Sequence, residues 1–566
     1  MPNNSLDRQL SQLEQFRNSF APGDDRRLLR LLKQLGRARF LSTTSLVRFH
    51  EALLFFRAFP SSPAVLRETE ALLRGFLLRV EQLQKSGGDL DDFDTFEDSG
   101  MVGTTMQDTL SFDVVRWLVR HLPRAVEIAW DDYEDERGMG MVWPLLIPLQ
   151  AEDTYVEANI PWRKWLETAV PRGKTDLPWI VEQIAKLPVN DLERSRTYDL
   201  LRLPVRWKIG NAHYSRTRNW SRPGNVFYHR ESLIQRNAVS LKDQLGQKPP
   251  RFRKVSRAEG RETMDRIHEI MLVRYRELYG TTLGDPDSVL RVDLGRGVMI
   301  YLWNLPPDRR LPLRAYVAGF TLKNGVPINY IEAIGLCEWM EVGFNTFYTF
   351  RGGEVAWVFA QVLRCLCSLM GTTCVSMYPY QLGDQNEEAI ESGAYWFYRK
   401  LGFRPARKDL VALVEQEERK IAANPKYRTS ARTLRRLASA HLIYELPGSE
   451  VGAWDHFSTR NLGLAAAHRM AREFRGDAAT FRSSASAALA NALTVNTKRW
   501  SSLQRQAFDD FAIVLARGKE LRSWTEEQRR DLVELIRAKS APDEMLYLHL
   551  TQKHARLREA LLKLGS

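Results

Sequence analysis

The spacing of apolar residues changes twice along this chain. Leu28, Leu29, Leu31, Leu32 and Leu35 recur at helical intervals behind Asp24 and Asp25, which predicts an amphipathic helix. Residues 46–59 and 63–83 repeat that pattern on either side of Pro60-Ser61-Ser62-Pro63, as the two arms of a helical hairpin do. Residues 1–198 therefore read as helical. From Ser256 the period shifts. Ser256-x-x-Glu259 is a capping box that opens a helix running toward Gly280. Residues 298–303, 314–322 and 326–336 read as strands. Asn324-Gly325 joins the last two and predicts a hairpin, because a type I′ turn needs φ > 0 at both central positions. Residues 339–350 form another strand. After Arg351-Gly352-Gly353 comes a helix over 354–370, ended by Gly371. A strand over 374–378 and a helix over 386–401, stopped by Gly402, complete the mixed region. Beyond Val411 the pattern is helical to the end, with breaks near Pro447, Asn496 and Pro542.

These patterns predict an α+β protein with a central mixed β-sheet domain between all-helical N- and C-terminal regions. The expected divisions are residues 1–198, a connecting segment 199–255, a sheet domain 256–410 and a helical region 411–566. A hydrophobic content of 44% and a charged content of 27% are those of a globular protein and exclude collagen-like or largely disordered chains. No apolar run reaches the ~18–20 residues of a membrane span, and the first residues lack a secretory apolar core. The expected location is the cytoplasm, with no membrane partner. Four cysteines, Cys337, Cys365, Cys367 and Cys374, do not make a disulfide framework in so long a chain.

Charge sharpens the picture. The net charge is +13, and residues 202–257 alone hold 14 Lys and Arg against two acids, Glu231 and Asp243. Trp207, Tyr214, Trp220, Phe227 and Tyr228 are interleaved with these cations. Cations with stacking rings suit single-stranded nucleic acid or a small polyanion, while a solvated basic flank packed by its rings has the same composition. No helix-turn-helix, zinc-finger or RNP signature is present. The acidic stretch 89–99, with Asp89, Asp91, Asp92, Asp94, Glu97 and Asp98, lacks EF-hand spacing and reads as a solvated loop.

Two segments of the central region resemble the GNAT superfamily of CoA-dependent N-acyltransferases. Tyr398-Arg399-Lys400-Leu401-Gly402-Phe403, with Asn386 upstream, is similar to the family's Asn…Tyr-x-x-x-Gly-Phe pattern. Arg351-Gly352-Gly353-Glu354-Val355-Ala356, between a strand and a helix, is similar to its acyl-CoA loop. The resemblance covers residues 256–408. It implies acyl transfer from acetyl-CoA or another acyl-CoA to an amine, with Arg351, Gly352, Gly353, Val355, Ala356 and Asn386 around the cofactor. It departs from the family at Glu354, which stands where a glycine is usual.

The physics of the loop is independent of that likeness. Glycines allow close backbone approach, and a helix start presents unpaired N–H groups to a pyrophosphate. Tyr398 is the candidate general acid for the departing thiolate, or else a core ring on a helix rich in rings. Glu341 and Glu338, near the start of the strand leading to the loop, are candidate proton acceptors, with Glu341 preferred; each is otherwise an ion-paired or solvent-facing carboxylate. No nucleophile elbow, HExxH or Walker loop occurs, and no metal site is expected. The alternative reading is a non-catalytic GNAT-like scaffold or acyl-CoA sensor whose basic segment binds nucleic acid or another acidic partner.

Overall fold

The computed structural model describes residues 3–90, 93, 95, 97–147, 161–219, 224–515 and 521–566. The chain is a mixed α/β protein in two units. One comprises residues 1–232, 264–282 and 324–327; the other comprises 233–263, 283–323 and 328–566. Asp91, Asp92 and Asp94 of the acidic stretch, and Trp220 of the basic segment, lie outside the described residues. No helix among the described residues is long and apolar enough to cross a membrane.

In the first unit the predicted hairpin appears as Thr43–Ala58 followed by Pro63–Arg74 and Phe76–Lys85. Ser42 and Ser62 cap the first two helices by accepting from Ser45 N (3.2 Å) and Val65 N (3.4 Å). Gly75 splits the second predicted arm in two. The all-helical expectation needs correction here. Strands β1 (Thr105–Thr109), β2 (Val126–Ile128) and β3 (Pro204–Lys208) form an antiparallel sheet in the order β1-β3-β2. These strands have three to five residues, too short for alternation to stand out, and their partners are far apart in sequence.

The first unit also holds a carboxylate that titrates near neutrality. Glu269 is buried; its Oε1 has no hydrogen-bond partner among the described residues, and its Oε2 lies 3.6 Å from Arg266. Burial pushes its pKa up from 4.5 to about 7. The folded state therefore holds the extra proton between those values, so this contribution is present below pH ~4.5 and is lost as pH rises through ~7. The neighbouring His268, stacked 5.3 Å from Trp117, is held down to about 4 by burial, and its contribution changes in the opposite sense from pH ~4 to ~6.5. Glu269→Gln should raise stability by about 1–3 kcal/mol at pH 7.5 and by nothing at pH 4.5 in urea unfolding. A gain of equal size at both values would remove the titration from the account.

The second unit is organised on nine strands: β4 (Arg253–Lys254), β5 (Leu290–Gly295), β6 (Val298–Asn304), β7 (Ala315–Lys323), β8 (Val326–Leu336), β9 (Trp339–Thr346), β10 (Cys374–Met377), β11 (Arg404–Pro405) and β12 (Leu442–Glu445). Their order is β11-β12-β10-β9-β8-β7-β6-β5-β4. The turn between β7 and β8 forms as expected, with Asn324 at φ 49° and Gly325 at φ 78°. β8 and β9 pair antiparallel, whereas β9 and β10 run parallel. A parallel pair needs a crossover, and the Val355–Met370 helix supplies it. Phe359 on that helix packs against Phe344 of β9 at 4.9 Å. Gly371, at φ 66°, closes the helix and accepts no side chain without strain.

Three further expectations are corrected. The helix from Ser256 stops at Leu272, and Tyr275 follows in the left-handed region at φ 51°. The predicted helix over 386–401 is two helices, Glu387–Ser392 and Ala394–Arg399, broken by Gly393 at φ 68°. The C-terminal region is not all helical, because β12 inserts between β10 and β11.

Candidate functional site

β9 pairs with β10 at only three positions, Trp339 with Cys374, Met340 with Val375 and Glu341 with Ser376. It then continues to Thr346 without β10 beside it. The chain turns through the 3₁₀ segment Tyr348–Phe350, which is why the strand ends short of the predicted 350. The Gly353 N–H donates to Phe350 O at 2.9 Å. Gly352 is exposed, and a Cβ built on it meets nothing within 4 Å, so the space above the loop is open. Val355 and Ala356 begin the helix, and the N-cap residue Glu354 makes no side-chain bond to that first turn. Its amides and dipole face the loop uncapped by that carboxylate.

The Glu354 carboxylate turns inward, where it is 1% exposed. The Arg296 guanidinium donates to it, Lys323 Nζ lies 3.3 Å away, and Ile234 N donates to its Oε1 at 3.2 Å. Lys323 is fully buried, and burial pulls its pKa down to about 8 although Glu354 opposes the fall. Two cations thus meet one carboxylate beneath the helix start. The carboxylate that departs from the family's loop pattern is thus ion-paired below the helix start.

The other cofactor candidates divide. Arg351 donates to Glu388, and its guanidinium lies 5.5 Å from the centre of the Tyr348 ring. Asn386 is the N-cap of the Glu387–Ser392 helix, accepting from Ala389 N at 3.2 Å and donating Nδ2 to Tyr380 O at 3.1 Å. Tyr398 is buried among Phe359 (5.4 Å), Phe397 (5.1 Å) and Phe403 (5.9 Å), and burial raises its pKa so that it keeps its proton. Phe359, the ring partner of Tyr398, lies six residues beyond Gly353, more than one helical turn past the loop. Tyr395 is buried too.

A polar row crosses the face of the sheet opposite the Phe344–Phe359 contact. Glu332 is opposite Gly343, and Glu341 is opposite both Ile334 and Ser376, so Glu332, Glu341 and Ser376 share that face. Arg314 Nη1 donates to Glu341 Oε2 at 2.6 Å, and the Tyr316 hydroxyl donates to Glu332. Ser376 Oγ and His441 Nδ1 are 2.8 Å apart, and Tyr378 sets its ring edge-on to His441 at 5.4 Å. Burial raises the Glu341 pKa while Arg314 draws it back. Burial also holds His441 at about 4, neutral at pH 7. A desolvated carboxylate and a neutral imidazole are groups that take up a proton.

Glu338 stands apart from this row. It sits in the β8–β9 turn after Cys337 (φ 51°) and accepts from Trp454 Nε1 at 2.7 Å and Arg558 Nε at 2.6 Å. Its surroundings are the Trp339–Trp454 stack, with centroids 5.5 Å apart. Arg314, Ser376 and His441 escaped sequence reading. Their signal is register: only the strand order puts Ser376 beside Glu341, and His441 leads into a strand that read as helix.

Much of the basic segment already has partners. Arg206 pairs with Asp131 (3.1 Å) and Asp132 (3.2 Å), Lys208 with Glu127 (2.9 Å), Arg216 with Glu51 (2.5 Å) and Arg253 with Glu259 (2.5 Å). Trp207 is buried. Among the described residues no group of three or more His, Cys, Asp or Glu is placed to hold a metal ion. Comparison of the chain with protein-family models, with curated proteins and with solved structures finds no match.

Proposed function

We propose that the second unit is a GNAT-like N-acyltransferase that moves an acyl group from acyl-CoA to an amine. The observation that carries this reading is the parallel β9–β10 pair, joined through a glycine loop and helix, with β9 running on to Thr346 after β10 ends at Met377. A cofactor entering beside β9 lays its pyrophosphate on Gly352, Gly353 and the amides of Val355 and Ala356, clear of the ion-paired Glu354 carboxylate. The acceptor nitrogen attacks the thioester carbon, the C–S bond breaks with its electron pair on sulfur, and Glu341 takes up the nitrogen's proton. Tyr398 returns a proton to the thiolate. Asn386 orders the turn between Tyr380 and the helix beside the cofactor.

Calorimetric titration of the full chain with CoA and acetyl-CoA tests the reading, and heat from neither would end it. Arg351→Ala should weaken binding by roughly 1–3 kcal/mol if its guanidinium leaves Glu388 for a phosphate. Glu388→Gln, which frees that guanidinium, should tighten it. Equal affinity in all three proteins would take Arg351 out of the site.

The Arg351–Glu388 pair and the burial of Tyr398 favour a second reading, an acyl-CoA sensor without turnover. Binding of acetyl-CoA with no thiol release across a panel of amines distinguishes it. In a scaffold reading residues 202–257 bind nucleic acid or another polyanion, and that affinity falls steeply with salt.

A further inference from the structure

A cavity of about 680 Å³ opens beside β11, and none of its lining residues belongs to the glycine loop or the polar row. Its volume is that of a small-molecule site. Both walls are fastened. On one side, Gly452 N donates to Glu445 Oε1 at 3.1 Å, and Asp455 accepts from the Arg404 guanidinium on both oxygens, at 2.7 and 3.0 Å. Trp454, on the same loop, stacks on Trp339. The other wall is the Lys408–Ala423 helix, which buries Leu410 and Val414. Pro405 and Ala406 line the cavity between these elements in sequence, and β11 is the last strand of its sheet. An added strand cannot be held there, because Pro405 has no N–H and the Ala406 N–H is used on His441 O at 2.9 Å. Recognition therefore falls to the side chains of the walls.

Lys408, Val411 and Glu415 share one face of the helix, three and seven residues along, and all three are exposed where they line the cavity. Val451, 71% exposed, lines it from the loop. Most of the charges around it are already matched: Arg404 meets Glu445 and Asp455, Arg399 meets Glu418 at 2.9 Å, and Glu450 meets Arg558 at 3.0 Å. Lys408 and Glu415 have no ion pair among the described residues. The helix wall thus presents a cation and a carboxylate two turns apart, about 10 Å at ~1.5 Å per residue, with valine between them. A matching ligand has an anionic end, an apolar middle and a cationic end at that span. Three residues of extended peptide reach it, at ~3.3–3.6 Å each. The peptide carboxylate goes to Lys408 at the helix start, where the dipole also favours an anion, and its ammonium goes to Glu415. A stretch inside a longer chain offers neither charge. We propose that this cavity binds a free zwitterionic tripeptide with apolar side chains. The site is independent of the acyl-CoA reading.

The test is calorimetry on the full chain, without CoA, using trileucine, its N-acetyl form and its C-terminal amide. Trileucine should bind, and blocking either end should weaken it about 3–10-fold, the scale of one charge contact at a partly open site. Lys408→Gln should bring trileucine to the affinity of its amide and leave the amide unchanged. Glu415→Gln should bring it to the affinity of the acetylated form and leave that form unchanged. Both side chains are exposed, and an unaltered melting temperature would show that the variants are folded. The blocked peptides probe the same contacts on the parent protein, so the result does not depend on either variant. No binding of trileucine in the millimolar range overturns the proposal. So do equal affinities for the three peptides, a loss on blocking one end only, or folded variants that keep the parent's preferences.

Discussion

Glu341→Gln should lower the rate of acyl transfer about 10²–10⁴-fold while acyl-CoA affinity stays unchanged, because the amide keeps the shape and cannot accept a proton. The rate is read as thiol release from acetyl-CoA with a panel of amines. Arg314 keeps an oxygen to bond, so the stability change should be no more than about 1 kcal/mol. Burial raises the Glu341 pKa, so the acid limb of the pH–rate profile should lie above the ordinary carboxylate range and vanish in the variant. Tyr398→Phe is the companion. As general acid the phenol costs a comparable factor in rate; as a member of the Phe359–Phe397–Phe403 cluster its loss leaves turnover normal and changes stability by ~0.5–1.5 kcal/mol. Normal turnover in both variants would leave the unit a binder of acyl-CoA and no more.

Glu354→Gln should destabilise the chain by about 3–5 kcal/mol at pH 6, the range for breaking a buried ion pair, since it removes the charge that faces the buried Lys323 ammonium. The loss depends on pH in a defined direction. The folded-state pKa of Lys323 is about 8, below its usual 10.5, so the unfolded chain holds the extra proton between those values and stability rises with pH across them. Without the carboxylate that pKa falls further. The deficit of the variant is therefore full below both folded values and shrinks as pH rises through about 8. Lys323→Met, which leaves Glu354 paired with Arg296, should cost less at pH 6. Urea unfolding at pH 6 and pH 9 checks all of this. A Glu354→Gln deficit of the same size at both would mean that the carboxylate does not hold the lysine proton.

The central sheet was legible where local chemistry dictates conformation. Asn324-Gly325 selects its own turn, and the apolar face of 355–370 followed by Gly371 marks a helix and its end. What escaped depends on partners remote in sequence. β12 has four residues and β11 two, so neither shows a period; each exists because β10 presents an open edge to β12, and β12 to β11. Gly393 sits inside a good helical pattern, and only its left-handed φ reveals the break. The basic segment shows the same limit for charge. Counting within residues 202–257 finds two acids, yet Asp131, Asp132, Glu127 and Glu51 reach its cations from elsewhere, so a local excess is not a bare positive surface. At the candidate site the glycines of the loop were visible in the sequence. The Arg314–Glu341 and Ser376–His441 pairs were not, because side chains that meet across strands leave no mark at fixed spacing.

The placement of β12 bears on how the molecule is made. During synthesis β10 emerges well before residues 442–445, and until they arrive one flank of β10 has backbone groups without their final partner. β11 waits on the same event, since β12 is its neighbour. The step that closes this end of the sheet is thus the last and longest-range pairing around the site, a pattern that slows folding. It also brings His441 to Ser376, so the polar row is completed only when that closure occurs. A nascent chain stalled before Leu442 would expose the flank of β10 that faces away from β9, an unpaired edge open to pairing with another chain.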